Sequence, residues 1–175
     1  MSESRARSGP QKTLVGFEVG EVHYAVDIAR VMQIVKPLPM TVLPRMPEGL
    51  VGVCEYRGVV TAVVDLRSHF GLEPQAPTRQ TKWLVLDVGG RPVVLVVDGV
   101  TDVFGAPGEP LRSPPSFGAE RQGIVGVASH GARMTFVIDA GRFHALAQLP
   151  PSLAATPPPR LGGGAAAHAG SGSRS

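Results

Sequence analysis

Aromatic side chains are scarce in this 175-residue chain. Phe, Trp and Tyr make up 5% of it, although 43% is hydrophobic. Its core must therefore rest on Val, Leu and Ile. There is one cysteine, Cys54, which excludes an internal disulfide and any cysteine-based zinc site. No apolar stretch approaches the roughly 20 residues of a membrane span. The opening ten residues have no apolar block of the kind a signal peptide carries, and a cytoplasmic location is expected. No run of Lys or Arg occurs. The formal charge of +3 comes from the ends: residues 12–149 carry 13 Lys and Arg against 13 Asp and Glu. A nucleic-acid surface needs clustered basic residues on the folded part, and the neutral body argues against one.

The chemistry of common active sites is missing as well. There is no Gly-x-Ser-x-Gly elbow, no Walker-type phosphate loop and no Gly-x-Gly-x-x-Gly. The histidines at 23, 69, 130, 144 and 168 are scattered, without metal-ligand spacing. Cys54 sits among Val51 and Val53 and reads as a buried, inert thiol. Asp65, Asp98 and Asp139 each end an apolar run. Each is expected to accept backbone N–H bonds in the turn or helix start that follows it. No metal or cofactor is expected, and the chain reads as a non-enzyme.

What the chain does have is short β-branched runs separated by turns. Val15, Phe17 and Val19 alternate, Gly20-Glu21 turns, and Val22, Tyr24 and Val26 continue. Asp27 can cap a short helix, with Ile28, Val31, Met32 and Val35 at helical spacing, stopped by Pro37 and Pro39. Within Val51–Arg67, two apolar β-branched runs, the second ending in Val63-Val-Asp-Leu-Arg67, flank a turn at Arg57-Gly58. Such a turn presents one guanidinium, suited to a carboxylate or carbonyl on a partner. Leu66–Phe70 reads as a helical turn closed by Gly71, and Glu73–Gln80 as a linker between two halves. Lys82–Val88 and Arg91–Asp98 form a hairpin around Gly89-Gly90. Residues 105–121 form a long loop rich in Pro and Gly, where Pro114, Pro115 and Phe117 cluster; loops of that length are usually functional or mobile. A last hairpin turns at His130-Gly131, and a short helix starts at Ala140. Residues 1–11 and 150–175 read as disordered tails around a folded body at 12–149. The halves do not amount to a sequence repeat at fixed period. They suggest an all-β fold of two small barrels sharing one core.

The order of these motifs resembles the CheW family of adaptor proteins in bacterial chemosensory arrays. Phe17-Glu-Val-Gly-Glu-Val-His-Tyr24-Ala-Val-Asp27 is similar to the family's opening hairpin. Val31-Met-Gln-Ile34-Val is similar to its first-helix motif. Leu43-Pro44 with Pro47 and Val51-Gly52-Val53 resembles its approach to the third strand. The most specific block is Tyr56-Arg57-Gly58-Val with Val63-Val-Asp65-Leu66-Arg67. Val96-Val-Asp98-Gly-Val100-Thr-Asp-Val103 and Gly123-Ile-Val-Gly-Val127 complete the series.

The resemblance implies two SH3-like five-stranded barrels around a common core, without catalysis. It implies an adaptor between the cytoplasmic tip of a methyl-accepting chemotaxis receptor and the regulatory domain of a CheA-type histidine kinase. Arg57, Val31 and Gln33 fall at positions that border the receptor groove, and Arg112 and Phe117 at positions of kinase contact. Three departures bear on partner choice: Gln33 stands where the family usually has Glu, Glu55-Tyr56 where it has Asn-Leu, and Ala62 where it has Pro. They leave open an alternative pathway or the loss of one partner. A different SH3-like module, for nucleic acid or a small molecule, is the competing reading. If Phe117 is a kinase contact, Phe117→Ala weakens kinase association with the melting temperature nearly unchanged. A loss of several kcal/mol in a denaturation experiment would instead make it a core residue, since burying a Phe is worth roughly 1.5–3 kcal/mol and a cavity adds more.

Overall fold

The computed structural model describes residues 12–106, 111–114 and 123–148. Ten strands account for most of them: β1 (Lys12–Val19), β2 (Val22–Asp27), β3 (Val31–Val35), β4 (Leu50–Tyr56), β5 (Val59–Asp65), β6 (Lys82–Val88), β7 (Arg91–Val97), β8 (Gly99–Ala106), β9 (Ile124–His130) and β10 (Arg133–Ile138). Two one-turn helices, α1 (Leu66–His69) and α2 (His144–Ala147), and two 3₁₀ turns, Ile28–Arg30 and Ala140–Phe143, complete it.

The strands form two five-stranded sheets, ordered β8-β1-β2-β10-β9 and β3-β6-β7-β5-β4. The halves of the chain are therefore not the halves of the fold. Strands β1 and β2 leave their own half to join β8, β9 and β10, while β6 and β7 join β3, β4 and β5. Residues 73–80 accordingly do not link two separate units. They connect strands of one sheet, where β5 and β7 pair in parallel, as β2 and β10 do in the other.

The alternation of side chains explains why the sheets must pack together. In β5, Ala62 and Val64 face the central core while Val63 faces the interior of its own sheet. In β6, Leu84 and Leu86 face the centre and Trp83 and Val85 the interior. Central strands are thus buried on both faces, which is why they read as unbroken apolar runs rather than alternating ones. The central core also takes Val15, Phe17, Val19, Tyr24, Val26, Ile124 and Ile138 from the first sheet and Phe143 from the final 3₁₀ turn. Each sheet keeps its own smaller interior, around Leu14, Ala25, Phe104 and Val137 in one and around Cys54, Tyr56, Trp83 and Val94 in the other.

Each sheet curls until its edges meet. The chain beyond β3 bridges to β4 through Thr41 and Val53, which exchange two backbone hydrogen bonds of 2.8 and 2.9 Å. The chain beyond β8 bridges to β9 in the same way, through Arg112 and Val127 at 3.2 and 3.0 Å. A glycine makes room at each closure. A Cβ on Gly52 would stand 2.6 Å from the Thr41 carbonyl oxygen, and one on Gly126 would stand 2.6 Å from the Leu111 Cβ.

These matched closures expose a hidden repeat. Gly49, Gly52, Tyr56, Thr61 and Asp65 correspond in the fold to Gly123, Gly126, His130, Thr135 and Asp139, all 74 positions later. Phe17, Gly20, Val26 and Gln33 correspond to Leu86, Gly89, Leu95 and Asp102, all 69 later. The two spacings differ because the connection from β8 to β9 is longer than that from β3 to β4.

The caps follow expectation at three of four aspartates. Asp27, Asp65 and Asp139 accept from the backbone amides of Ala29, Arg67 and Gly141 at 2.9, 3.2 and 2.9 Å. Asp98 does not cap the turn that follows it. Its Oδ2 accepts from the Gly20 amide at 2.7 Å and from Arg67 Nη1 at 2.6 Å, tying the β1–β2 turn and α1 to the end of β7. The exchange of hairpins between sheets brings these distant groups together.

Gly52→Ala and Gly126→Ala should each destabilise by about 1–3 kcal/mol, the usual cost of forcing atoms into a packed site. That corresponds to a melting temperature lower by about 2–4 °C per kcal/mol. Gly105→Ala, where a Cβ meets nothing within 4 Å, serves as the control in the same thermal scans and should stay near the wild-type value.

Candidate protein-binding site

The segment 28–35 is not a helix. Only Ile28–Arg30 makes a 3₁₀ turn, capped by Asp27. Val31–Val35 is an edge strand on β6, with Val31 opposite Leu86, Gln33 opposite Val85 and Val35 opposite Trp83. Helical spacing of apolar positions was compatible with either form. Three of the five residues are β-branched, and a free edge on β6 was available to receive them. Both the periodicity and the motif resemblance had pointed to a helix, and strand pairing overrides them.

The pairing shifts register between Val31 and Gln33, and this separates two predicted site residues. Val31 packs against the central core. Gln33 is exposed and points to the end of β4 instead. There the Tyr56 hydroxyl donates to Gln33 Oε1 at 2.8 Å. Arg57 Nη2 donates to the same oxygen at a longer 3.4 Å. The Arg57 guanidinium lies over the Tyr56 ring, 5.1 Å from its centroid, within cation–π range. Tyr56 itself is 6% exposed and anchored among Cys54, Trp83 and Val85. Gln33, Tyr56 and Arg57 thus form one cluster on a rigid base.

Arg57 occupies an unusual backbone position. Its φ is 50° and that of Gly58 is 76°, so both central residues of the hairpin are left-handed, as in a type I′ turn. Asn or Gly is the usual occupant of the first place. An arginine there costs on the order of 1 kcal/mol. Beside the cluster the surface is apolar: Met32 and Ile34 on β3 are 44% and 40% exposed, and Val59, opposite Tyr56, is 49% exposed. Leu38, Met40 and Val42 continue the exposed apolar series along the chain.

The other predicted residues lie elsewhere. Arg112 is exposed on the closure of the first sheet, where it bridges to Val127. Phe117 falls outside the described residues. The structure therefore brings Arg57 and Gln33 together, and places Val31 and Arg112 apart from them.

Sequence reasoning missed Tyr56 as a member of the cluster. It also missed the counterpart of the Gln33–Tyr56 bond in the first sheet, where His130 Nε2 meets Asp102 Oδ2 at 2.6 Å and stacks on Phe104. Partial loss of water there raises the Asp102 pKa, but hydrogen bonds from His130 and Thr101 and the charges of His130 and Arg133 outweigh it and hold the carboxyl below its ordinary value. Its stabilising contribution is therefore present above the ordinary carboxylate pKa and lost as pH falls through the lowered one. The two residue pairs occupy matching positions, and each fastens an edge strand to the far side of its sheet. The 69- and 74-residue spacings were the signal that could have revealed both.

Among the described residues no group of His, Cys, Asp or Glu could hold a metal ion. No helix among them is long and apolar enough to cross a membrane. Cys54 is 5% exposed, and burial pushes its thiol up to about 11.

Two SH3-like barrels joined through one core, with exposed edges and buried interiors, define a protein-binding module of the CheW type. The chain belongs to the family described as the CheW-like domain, whose model matches residues 13–147. It is 32% identical over 125 residues to the chemotaxis protein CheW of Klebsiella aerogenes, covering 70% of this chain and 75% of that one. It is 30% identical over 130 residues to a probable chemotaxis protein CheW of Rhizobium etli, covering 73% and 84%. The crystal structure of the scaffolding protein TtCheW from Thermoanaerobacter tengcongensis superposes with a TM-score of 0.69 at 26% identity, over 78% of this chain and 92% of that one.

At neutral pH the raised Cys54 pKa leaves about 100-fold less thiolate than the ordinary value of 9.0 does. Thiol-reagent labelling of the folded protein should accordingly run at least about 100-fold slower than after denaturation. Fast labelling of the native protein would overturn the reading of Cys54 as a buried, inert thiol and make it a candidate nucleophile.

Proposed function

We propose that this chain is a non-catalytic coupling adaptor that connects a methyl-accepting chemotaxis receptor to a CheA-type histidine kinase. In this reading it works in the cytoplasm and reaches receptor arrays through its partners, without inserting into a membrane. One observation carries the proposal: a guanidinium held in a costly left-handed turn, stacked on a buried tyrosine, at the border of an exposed apolar edge. A side chain kept in a strained backbone position and pointed at solvent serves recognition rather than folding. Family membership supports the same role, since the relatives are chemotaxis and scaffolding proteins by name.

In this assignment Arg57 and Gln33 meet the cytoplasmic tip of the receptor, with Val31 bordering the site from the core side. Arg112 and Phe117 meet the regulatory domain of the kinase. Arg57, at the β4–β5 turn of one sheet, and Arg112, whose backbone bridges to β9 of the other, lie on separate surfaces, which suits an adaptor that holds two partners at once.

Co-sedimentation with a receptor fragment and its kinase tests the role, and a ternary complex is the expected result. Arg57→Ala should lose about 1.5–3 kcal/mol of receptor affinity, the range for a hydrogen bond to a charged group. Arg57→Lys should restore only part of it, because an ammonium lacks the planar fork. Folding should be little affected in either variant. Equal affinities for the wild type and both variants would remove Arg57 from the receptor site.

A further inference from the structure

We infer that Gln33, Tyr56 and Arg57 act as one recognition unit that presents only hydrogen-bond donors, and that the receptor group it selects is a carboxylate. This rests on the coupling role proposed above and adds the chemistry of its contact.

The orientation of the Gln33 amide follows from its neighbours. A guanidinium can only donate, so the atom facing Arg57 must be the Gln33 oxygen. The Tyr56 hydroxyl donates to that same oxygen. Both bonds fall on Oε1, and among the described residues the Gln33 amide nitrogen makes no hydrogen bond. Nor does Arg57 pair with any carboxylate among them. The exposed polar groups of the cluster are thus the Gln33 N–H donors and the free edge of the guanidinium. A carboxylate can accept from both, and a charge-assisted bond to Arg57 is the stronger of the two.

Tyr56 is the positioning residue. Its ring is fixed in the interior of the second sheet, it supports the guanidinium from below, and its hydroxyl turns the amide. The neutral charge of Gln33 matters for the same reason. A glutamate at 33 would place a carboxylate against both the phenol and the guanidinium. It would pair with Arg57 internally and repel an acidic partner.

The test measures receptor-fragment binding for wild type, Tyr56→Phe, Gln33→Glu, Arg57→Ala and the Gln33→Glu/Arg57→Ala double variant, at two salt concentrations. Tyr56→Phe keeps the buried ring but removes the hydroxyl that bonds Gln33; it should lower the melting temperature by no more than a few degrees and weaken binding about 5-fold, the size of one net hydrogen bond. Gln33→Glu should weaken it about 10-fold. The double variant should bind more weakly than Arg57→Ala, because a carboxylate at position 33 then faces the acidic partner with no guanidinium to neutralise it. Nuclear magnetic resonance of the Arg57 side chain in the free protein supplies a readout that a purely structural tyrosine would not move: Tyr56→Phe and Gln33→Glu should each shift the Nε–Hε signal, and Gln33→Glu should slow guanidinium rotation. Tighter or equal binding of Gln33→Glu, or an Arg57 signal unaffected by it, overturns the inference while leaving the coupling role intact. A wild-type chain that binds no receptor fragment overturns the coupling role itself and the carboxylate assignment with it.

Discussion

The central core between the two sheets is the constraint on which the rest of this structure depends. It is built from alternate residues of strands contributed by both halves of the chain, Phe17, Val26, Val64, Leu86 and Leu95 among them. Burial of each such side chain is worth roughly 1.5–3 kcal/mol, and neither sheet can bury its inner face alone. Since β1 and β2 sit in one sheet and β6 and β7 in the other, each half of the chain needs the other half to complete its barrel. The Arg67–Asp98 pair, with the Gly20 amide on the same carboxylate, ties this exchange at its rim.

Closure is the second constraint, and the two barrels meet it with the same backbone device and different side chains. In both, a backbone bridge beside a glycine joins the two edges. A side-chain bond then fastens the edge strand. That bond is neutral in the second barrel, from Tyr56 to Gln33, and formed by ionisable groups in the first, between His130 and Asp102. The neutral clasp lies next to Arg57, so holding the barrel shut and holding the guanidinium in place become one task. Here stability and recognition share residues.

This arrangement also clarifies what the departures from the family pattern mean. Gln33 and Tyr56 look unrelated along the chain, 23 positions apart. In space they are hydrogen-bonded partners. Gln33 and Tyr56, which the resemblance marks as departures, therefore form a single local feature at the edge of the second sheet.

Much of the fold was legible because it rests on local rules. Gly20, Gly58, Gly89, Gly90 and Gly131 marked turns that need positive φ, and all five adopt it. Double-sided burial made β5, β6 and β7 readable as apolar runs, and Cys54, on β4, is buried as its apolar neighbours indicated. The segment 31–35 was misread because its spacing fits both a helix and a strand, and only the free edge of β6 decides between them. The turn at Arg57-Gly58 and the choice of Arg57 as its exposed cation came from sequence alone. The pairing of Arg57 with Gln33, the separation of Val31 from it, the buried support from Tyr56 and the redirection of Asp98 came only from tertiary structure. Turns and strand runs depend on neighbours a few residues away. The crossing of hairpins between sheets depends on strand pairings 31 to 112 positions apart, and no local pattern encodes those.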